Sequence, residues 1–377
     1  MLTLMIALLA QASDDWLPLR NGTTLAFRQK DGMKISLRVA SWRHKDAKFI
    51  LDSTDKGLVE RAAGDSTIAL LDGDEVALAI QSTKDGLGLF VSEFKDHFAL
   101  DLTVKFPLKD GLAYDATHVW LSCGFAAAPR AHKVVAQKVT VPAGTYDALR
   151  IDAGTDSLWL AKGIGIVKRR QGATEWELLS VETPADAAKR WAALWKSEKA
   201  EERDRATIEL RDIGAAAMAA IRAAAKDADV QVRDHAAALL KSFPVRRQWT
   251  GDDSLITDEK VVVIRDAETW AKTWRNHSKD ELPAVDFSRL QAVAVFHGFD
   301  SGPGGQKDAF RVTGLDCSGE KPVLSVDRRR NLFSGRLNRL HGYAIVLLDR
   351  DLDALKVVRT SWNNFDPEDV IDTIWEK

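Results

Sequence analysis

The sequence is poor in cysteine, in net charge and in long apolar runs. Its two cysteines, Cys123 and Cys317, lie far apart in a chain of 377 residues, so two buried thiols are favoured over a disulfide. A net charge of -2 gives no electrostatic case for binding nucleic acid or an anionic membrane. No apolar run reaches the roughly 18 residues that a transmembrane helix requires, so no membrane span is predicted.

Motifs for catalysis and metal binding are also absent. The eight histidines stand singly, without H-x-x-x-H or H-E-x-x-H, so no metal site and no cofactor are predicted. His297 and His341 are interpreted as structural. There is no G-x-S-x-G for a nucleophile elbow, and Gly302–Lys307 lack the full phosphate-loop pattern. We therefore predict no catalytic residues and a protein that is not an enzyme.

Two acidic patterns are interpreted as surface structure. Asp349–Asp353 begin like a calcium loop, but Ala354 stands where that loop needs Gly, and Thr360 stands where it needs the bidentate Glu. Glu368-Asp369 are assigned to the cap of a helix at the C-terminus.

The first residues are typical of an export signal. An apolar run, Leu2–Ala10, leads into Ala10-Gln11-Ala12 and then Ser13-Asp14-Asp15, which resembles an h-region with its cleavage site, although no Lys or Arg precedes it. We expect residues 1–12 to be a signal peptide and the protein to be exported to the periplasm, the cell surface or the medium.

Residues 13–182 are expected to form an antiparallel β-domain. Short alternating or apolar runs are separated by turn sequences such as Lys30-Asp31-Gly32. Val139–Tyr146 and the later Gly163-Ile164-Gly165-Ile166-Val167 resemble segments of exported bacterial β-domains. That resemblance implies a curved sheet or half-barrel, which in other envelope proteins holds apolar ligands, so a lipid or small apolar ligand is one alternative.

Residues 183–245 are expected to be helical. Thr183, Pro184 and Asp186 form a helix start signal. Arg203-Asp204-Arg205-Ala206 is repeated as Arg233-Asp234-His235-Ala236 at a spacing of 30, and this stretch resembles the HEAT-like repeats of bacterial proteins. In such repeats the Arg and Asp brace the turn between helices, which is the expectation here. Trp191 and Trp195 are expected to pack against the β-domain.

Residues 246–377 are expected to form a small α+β domain. The strand Lys260–Arg265 precedes a helix capped by Asp266 and carrying Trp270 and Trp274. Together with Val293-Ala294-Val295-Phe296 and the Gly-Gly turn that follows, this order resembles the PrcB-like family, the accessory lipoproteins of a bacterial surface protease complex. In that family an aromatic residue follows the Gly-Gly at once, whereas here Gln306-Lys307-Asp308 intervene. The complete fold class predicted is multidomain α+β.

One arginine cluster is the predicted binding site. The cluster, on an expected excursion between strands, can hold carboxylates bidentately; its members are Arg328, Arg329, Arg330, Arg336 and Arg339. The alternative is a solvated loop paired with nearby Asp residues. The leading hypothesis is a non-catalytic exported protein that binds a protein partner, and the two other hypotheses are a small-ligand carrier and an uncharacterised hydrolase.

Overall fold

A computed structural model describes much of the chain. The described residues are 16, 20–41, 67–72, 75–83, 86–94, 97–120, 125–251, 253–283, 285, 287, 289–303, 310–330, 337–352, 354–363 and 366–376. They divide into two compact units, Met1–Ala187 with Ala284–Ser288, and Ala188–Pro283 with Arg289–Lys377. The predicted export signal lies outside the described residues.

The first unit is antiparallel β structure, as the alternation predicts. Its described strands are β1 Thr24–Gln29, β2 Lys34–Ser41, β3 Thr67–Asp72, β4 Glu75–Thr83, β5 Gly86–Phe94, β6 His97–Val104, β7 Ala113–Trp120, β8 Phe125–Val141, β9 Gly144–Ala153, β10 Asp156–Ala161, β11 Gly165–Gln171 and β12 Thr174–Glu182. Each strand pairs with the next, and β12 returns to β1, with Thr24 opposite Glu182 and Gln29 opposite Trp176. The sheet is therefore closed.

Alternation along these strands separates interior from exterior. In β1, Leu25 and Phe27 are 0% and 3% exposed, whereas the intervening Ala26 is only partly buried. The predicted turn after β1 is present, and Gly32 has φ 91, a value that favours glycine. The described interior side chains of β8 to β11 are largely aliphatic and pack as one core.

The second unit begins with helices. They are α1 Pro184–Ala193, whose N-terminal residues Pro184–Ala187 belong to the first unit, then α2 Ala200–Ile213, α3 Met218–Ala224 and α4 Val230–Lys241. The start signal of α1 is confirmed, because Thr183 Oγ1 accepts the Asp186 backbone N–H at 3.2 Å and donates to the Asp186 carboxylate at 2.8 Å. No described helix is both long and apolar enough to cross a membrane.

The repeat of 30 residues has a structural counterpart. Arg203 Nη1 donates to the carbonyls of Ser197 and Glu198 at 2.7 and 3.0 Å. Arg233 Nη1 donates in the same way to the carbonyls of Asp227 and Ala228 at 2.9 and 2.8 Å. Both arginines therefore brace the turn that precedes their own helix, as expected.

Trp195 is buried inside the helical segment. Its side chain is 0% exposed, its Nε1 donates to Thr207 Oγ1 at 2.9 Å, and its ring stacks on His235 at 6.0 Å. Thr207 lies in α2 and His235 in α4, so these two helices contact the indole, and its expected packing against the β-domain stays a prediction. The helix periodicity indicates a buried face but cannot indicate which neighbour covers it.

The rest of the second unit contains two sheets and one helix. The elements are β13 Arg247–Gly251, β14 Glu259–Ile264, α5 Ala267–His277, β15 Leu290–Pro303, β16 Phe310–Asp316, β17 Val323–Arg330, β18 Leu337–Asp349, β19 Lys356–Asn363 and β20 Asp366–Glu376. One sheet has the order β13-β18-β15-β14 and the other β16-β17-β19-β20. An α+β class is thus confirmed, while β20 corrects the expectation of a C-terminal helix.

Helix α5 covers one face of the first of these sheets. Asp266 caps it by accepting the Thr269 N–H at 2.8 Å, as the sequence predicts. Trp270 and Trp274 are 2% and 5% exposed and lie 5.8 and 5.6 Å from the Trp249 ring of β13. The two indoles at helical spacing therefore form the core between helix and sheet.

Helices and sheets of the second unit are joined by polar contacts. Arg246 Nε and Nη2 donate to the Asp349 carboxylate at 2.7 and 2.9 Å, and the Ala215 N–H donates to the same carboxylate at 2.7 Å. Burial opposes the charge of Arg246, but attraction to Asp349 outweighs it and raises the pKa of Arg246. In addition, the Cys317 N–H donates to the Leu240 carbonyl at 2.8 Å. The acidic segment that begins at Asp349 is thus partly an internal anchor.

Candidate functional site

The predicted arginine cluster is distributed over two sheets. Arg328, Arg329 and Arg330 are the last residues of β17, opposite Ser361, Trp362 and Asn363 of β19. They belong to a strand and not to the expected excursion, because parallel pairing with β19 continues to the end of β17. Arg339 lies in β18, which belongs to the other sheet, and Arg336 lies outside the described residues. Their binding role stays a prediction.

A pocket of about 330 Å³ lies between the two sheets of the second unit. Strands β14 and β15 form one wall, and β16, β19 and β20 contribute the other. The lining residues are Glu259, Lys260, Val261, Val295, Phe296, His297, Phe310, Arg359 and Ile374. The pocket therefore combines aliphatic and aromatic walls with a few charged groups, which is the usual make-up of a binding site.

Arg359 organises the charged side of this pocket. Its Nη1 donates to Glu259 Oε1 at 2.8 Å and to His297 Nδ1 at 3.1 Å. The guanidinium has donors only, so His297 Nδ1 is the acceptor and the neutral ring carries its proton on Nε2. The His297 ring also stacks on Phe310 at 6.0 Å with an angle of 21° between the planes. His297 is thus held on both sides.

The two partners of this ion pair differ in exposure. The Arg359 side chain is 14% exposed and that of Glu259 is 51% exposed. Register explains why they meet: Glu259 is directly opposite His297, so both project from the same face of the sheet toward β19. Lys260 lies on the other face, with Nζ 5.9 Å from the Phe296 ring centroid. On the face that looks toward β19, the charged lining is therefore the Glu259–Arg359 pair.

Strand β14 borders the pocket and is an edge of its sheet. It pairs with β15 on one side, from Glu259 opposite His297 to Ile264 opposite Ala292, and no other described strand pairs with it. In such a strand every second residue presents its N–H and C=O to the open side. The charges are confined to the first two residues, and Val261-Val262-Val263-Ile264 carry none.

A buried Ser–His contact bears on the hydrolase alternative. His277 Nδ1 lies 2.9 Å from Ser254 Oγ, and the Ser254 oxygen also accepts the Ile256 N–H at 3.1 Å. Both residues are almost fully buried, at 2% and 3% exposure, and the Tyr343 ring lies 4.1 Å from the imidazole. Burial lowers the pKa of His277, so the ring is neutral. The described residues thus enclose both groups almost completely.

The remaining candidate ligands are engaged elsewhere. His341 Nδ1 lies 2.9 Å from the Ser254 carbonyl oxygen, whereas His297 Nδ1 accepts from Arg359. Cys317 is a free buried thiol, and burial raises its pKa to about 12. Cys123 lies outside the described residues. Within the described ranges, no group of three or more His, Cys, Asp or Glu is arranged to hold a metal ion.

The interior of the first unit also contains a polar pair. His132 is 4% exposed, its Nδ1 donates to the Arg130 carbonyl at 2.8 Å, and its ring stacks on Tyr114 at 4.9 Å. Burial raises the pKa of Tyr114 to about 12 and lowers that of His132, so both rings are neutral at pH 7. In the part described here, aromatic and aliphatic side chains pack against one another as a core.

Sequence reasoning missed Glu259, His297 and Arg359 as a group. Glu259 and Arg359 are 100 residues apart, and the sequence indicates only a structural role for His297. Nothing local connects them, because each stands on a different strand, beside other polar residues that do not line the pocket. The one usable signal was the position of Glu259 and Lys260 at the start of a β-branched strand.

Comparison with known proteins adds little. No family model matches the chain, and no curated protein matches it. One solved structure is similar, the hypothetical lipoprotein YmcC from Escherichia coli K12, at 12% identity over 46% of this chain and 89% of that chain, with a TM-score of 0.24. At this TM-score the likeness carries no argument about fold, location or function.

Proposed function

We propose that this protein is a non-catalytic, exported binding protein whose second unit takes up an extended segment of a protein partner along β14. The observation that carries the proposal is the open edge of β14 beside the pocket. An extended peptide adds to such an edge by main-chain hydrogen bonds, while a neighbouring pocket selects side chains. The proposal keeps the expected organisation: a β-domain over 13–182, a HEAT-like spacer over 183–245 and a PrcB-like domain over 246–377.

The composition of β14 supports this mode of binding. Its central residues are aliphatic and half-buried, so an added strand would cover apolar surface as well as satisfy backbone groups. The opposite edge of the same sheet, β13, also begins with two exposed polar residues, Arg247 and Gln248, but it does not line the pocket. Strand β13 therefore serves as a matched internal control.

Hydrogen exchange tests the proposal on the full-length mature protein. The probe is a phage-displayed library of peptides of about ten residues, long enough for one strand, from which bound sequences are synthesised. We expect these peptides to slow amide exchange in β14 and to leave β13 unchanged. N-methylation at alternate backbone positions of the peptide should abolish binding in one register and spare it in the other.

Three results contradict the proposal. They are failure to enrich any peptide, protection at β13 instead of β14, and indifference to N-methylation in both registers. Protection of β14 that grows with protein concentration in the absence of peptide is a fourth, since a second copy of this chain would then be the occupant. Sedimentation velocity run on the same samples identifies that case.

A further inference from the structure

We propose that the pocket beside β14 takes an acidic side chain of the bound segment, and that Glu259 occupies this position in the free protein as an internal competitor. This inference rests on the proposed function. It names the chemistry of the partner, a strand carrying Asp or Glu on the face that looks toward β19. It also assigns Glu259 and Arg359 as residues that determine specificity.

The asymmetry of the Glu259–Arg359 pair is the first argument. The guanidinium lies inside the pocket at 14% exposure, held by His297, whereas the carboxylate at 51% exposure reaches it from the rim. A buried guanidinium is costly to leave without an anion, but an exposed carboxylate loses little when it turns to water. Replacement of the Glu259 carboxylate by a ligand carboxylate therefore costs little free energy, because Glu259 is rehydrated while Arg359 keeps an anionic partner.

Strand geometry is the second argument. A residue opposite Glu259 on an added antiparallel strand has its Cβ about 5 Å from that of Glu259 and projects from the same face. That face contains His297 and looks toward Arg359. A Glu at this position can approach the guanidinium that Glu259 already reaches, and the two carboxylates then compete for it.

Charge is the third argument. On the face of β14 that looks toward β19, the basic group of the pocket is Arg359, which Glu259 reaches from the rim. Hydrogen bonds between a guanidinium and a carboxylate are charge-assisted and are stronger than those to a neutral group, so a ligand carboxylate gains such a bond when it takes the place of Glu259. Acidic partners are therefore favoured over neutral or basic ones.

Three synthetic peptides test this inference. They share an alternating Thr–Val sequence and carry Glu, Gln or Lys at the central position. Binding to the full-length protein is measured by isothermal titration. We expect the Glu peptide to bind tightest, and Glu259→Gln to strengthen its binding about two- to five-fold while leaving the Gln peptide unchanged. Arg359→Lys should weaken the Glu peptide alone, since a Lys ammonium does not reproduce the planar guanidinium that pairs with a carboxylate.

The outcomes separate this inference from the proposed function. If peptides protect β14 from exchange but Glu, Gln and Lys bind equally, or if Lys binds tightest by pairing with Glu259, the acidic preference is wrong while strand addition stands. Unchanged affinity of the Glu peptide for Glu259→Gln overturns the competitor role. If none of the three peptides binds or protects β14, both proposals fall.

Discussion

Removal of the Asp349 carboxylate should destabilise the second unit strongly. Asp349 accepts three short hydrogen bonds, from Arg246 Nε at 2.7 Å, Arg246 Nη2 at 2.9 Å and the Ala215 N–H at 2.7 Å. The Arg246 and Asp349 side chains are 18% and 15% exposed. Asp349→Ala would leave a largely buried guanidinium without its anion and a helix-turn N–H without its acceptor.

The size of the effect follows from burial. Removing one partner of a buried ion pair costs about 3–5 kcal/mol, because the remaining charge stays desolvated. Residual exposure lets water reach part of the site, so we expect the lower end, about 3 kcal/mol, for Asp349→Ala. Replacing both partners by apolar residues, in Asp349→Leu with Arg246→Met, should recover much of that loss, since no buried charge then remains.

Native-state hydrogen exchange of α4 and β18 amides measures the free energy of unfolding of this unit. The matched control is Asp147→Ala, which breaks the Lys138–Asp147 pair at 2.8 Å, whose side chains are 74% and 85% exposed. A surface pair of this kind contributes under about 1 kcal/mol. If Asp349→Ala costs no more in its unit than Asp147→Ala costs in the first unit, the argument from burial is refuted.

Two further predictions concern backbone strain and pH. Gly214 has φ 73, and an added Cβ would overlap Arg246 and Asp349, so Gly214→Ala should lower the unfolding free energy by more than about 2 kcal/mol. At Gly314 an added Cβ would meet no atom within 4 Å, so Gly314→Ala should lower it little, and equal losses for the two variants would contradict this reasoning. Burial lowers the pKa of His277 below 6.5, so the unfolded chain takes up that proton first as pH falls. The stability that neutral His277 contributes should therefore be full above about pH 7 and decline below about pH 6.5. Urea titrations at several pH values should show that the unfolding free energy of His277→Asn falls less steeply with decreasing pH than that of the native protein. The same slope for both proteins would contradict this prediction.

Local sequence determined the points at which helices begin and the packing within repeats. Thr183 with Asp186, and Asp266 with Thr269, act within a few residues of the chain, so short-range hydrogen bonding is sufficient to define those helix starts. Arg203 and Arg233 likewise brace carbonyls five and six residues before them. Alternation predicted most of the strands because side chains switch faces at every residue.

Tertiary structure decided what alternation and capping cannot encode. The Arg328–Arg330 stretch is a strand because β19 pairs with it, and the C-terminal segment is β20 because β19 accepts it on its other side. The pocket exists because the register between β14 and β15 sets Glu259 opposite His297, and packing of the second sheet brings Arg359 within 2.8 Å of that carboxylate. Such contacts depend on strand order and register across about 100 residues, and no local sequence pattern encodes them.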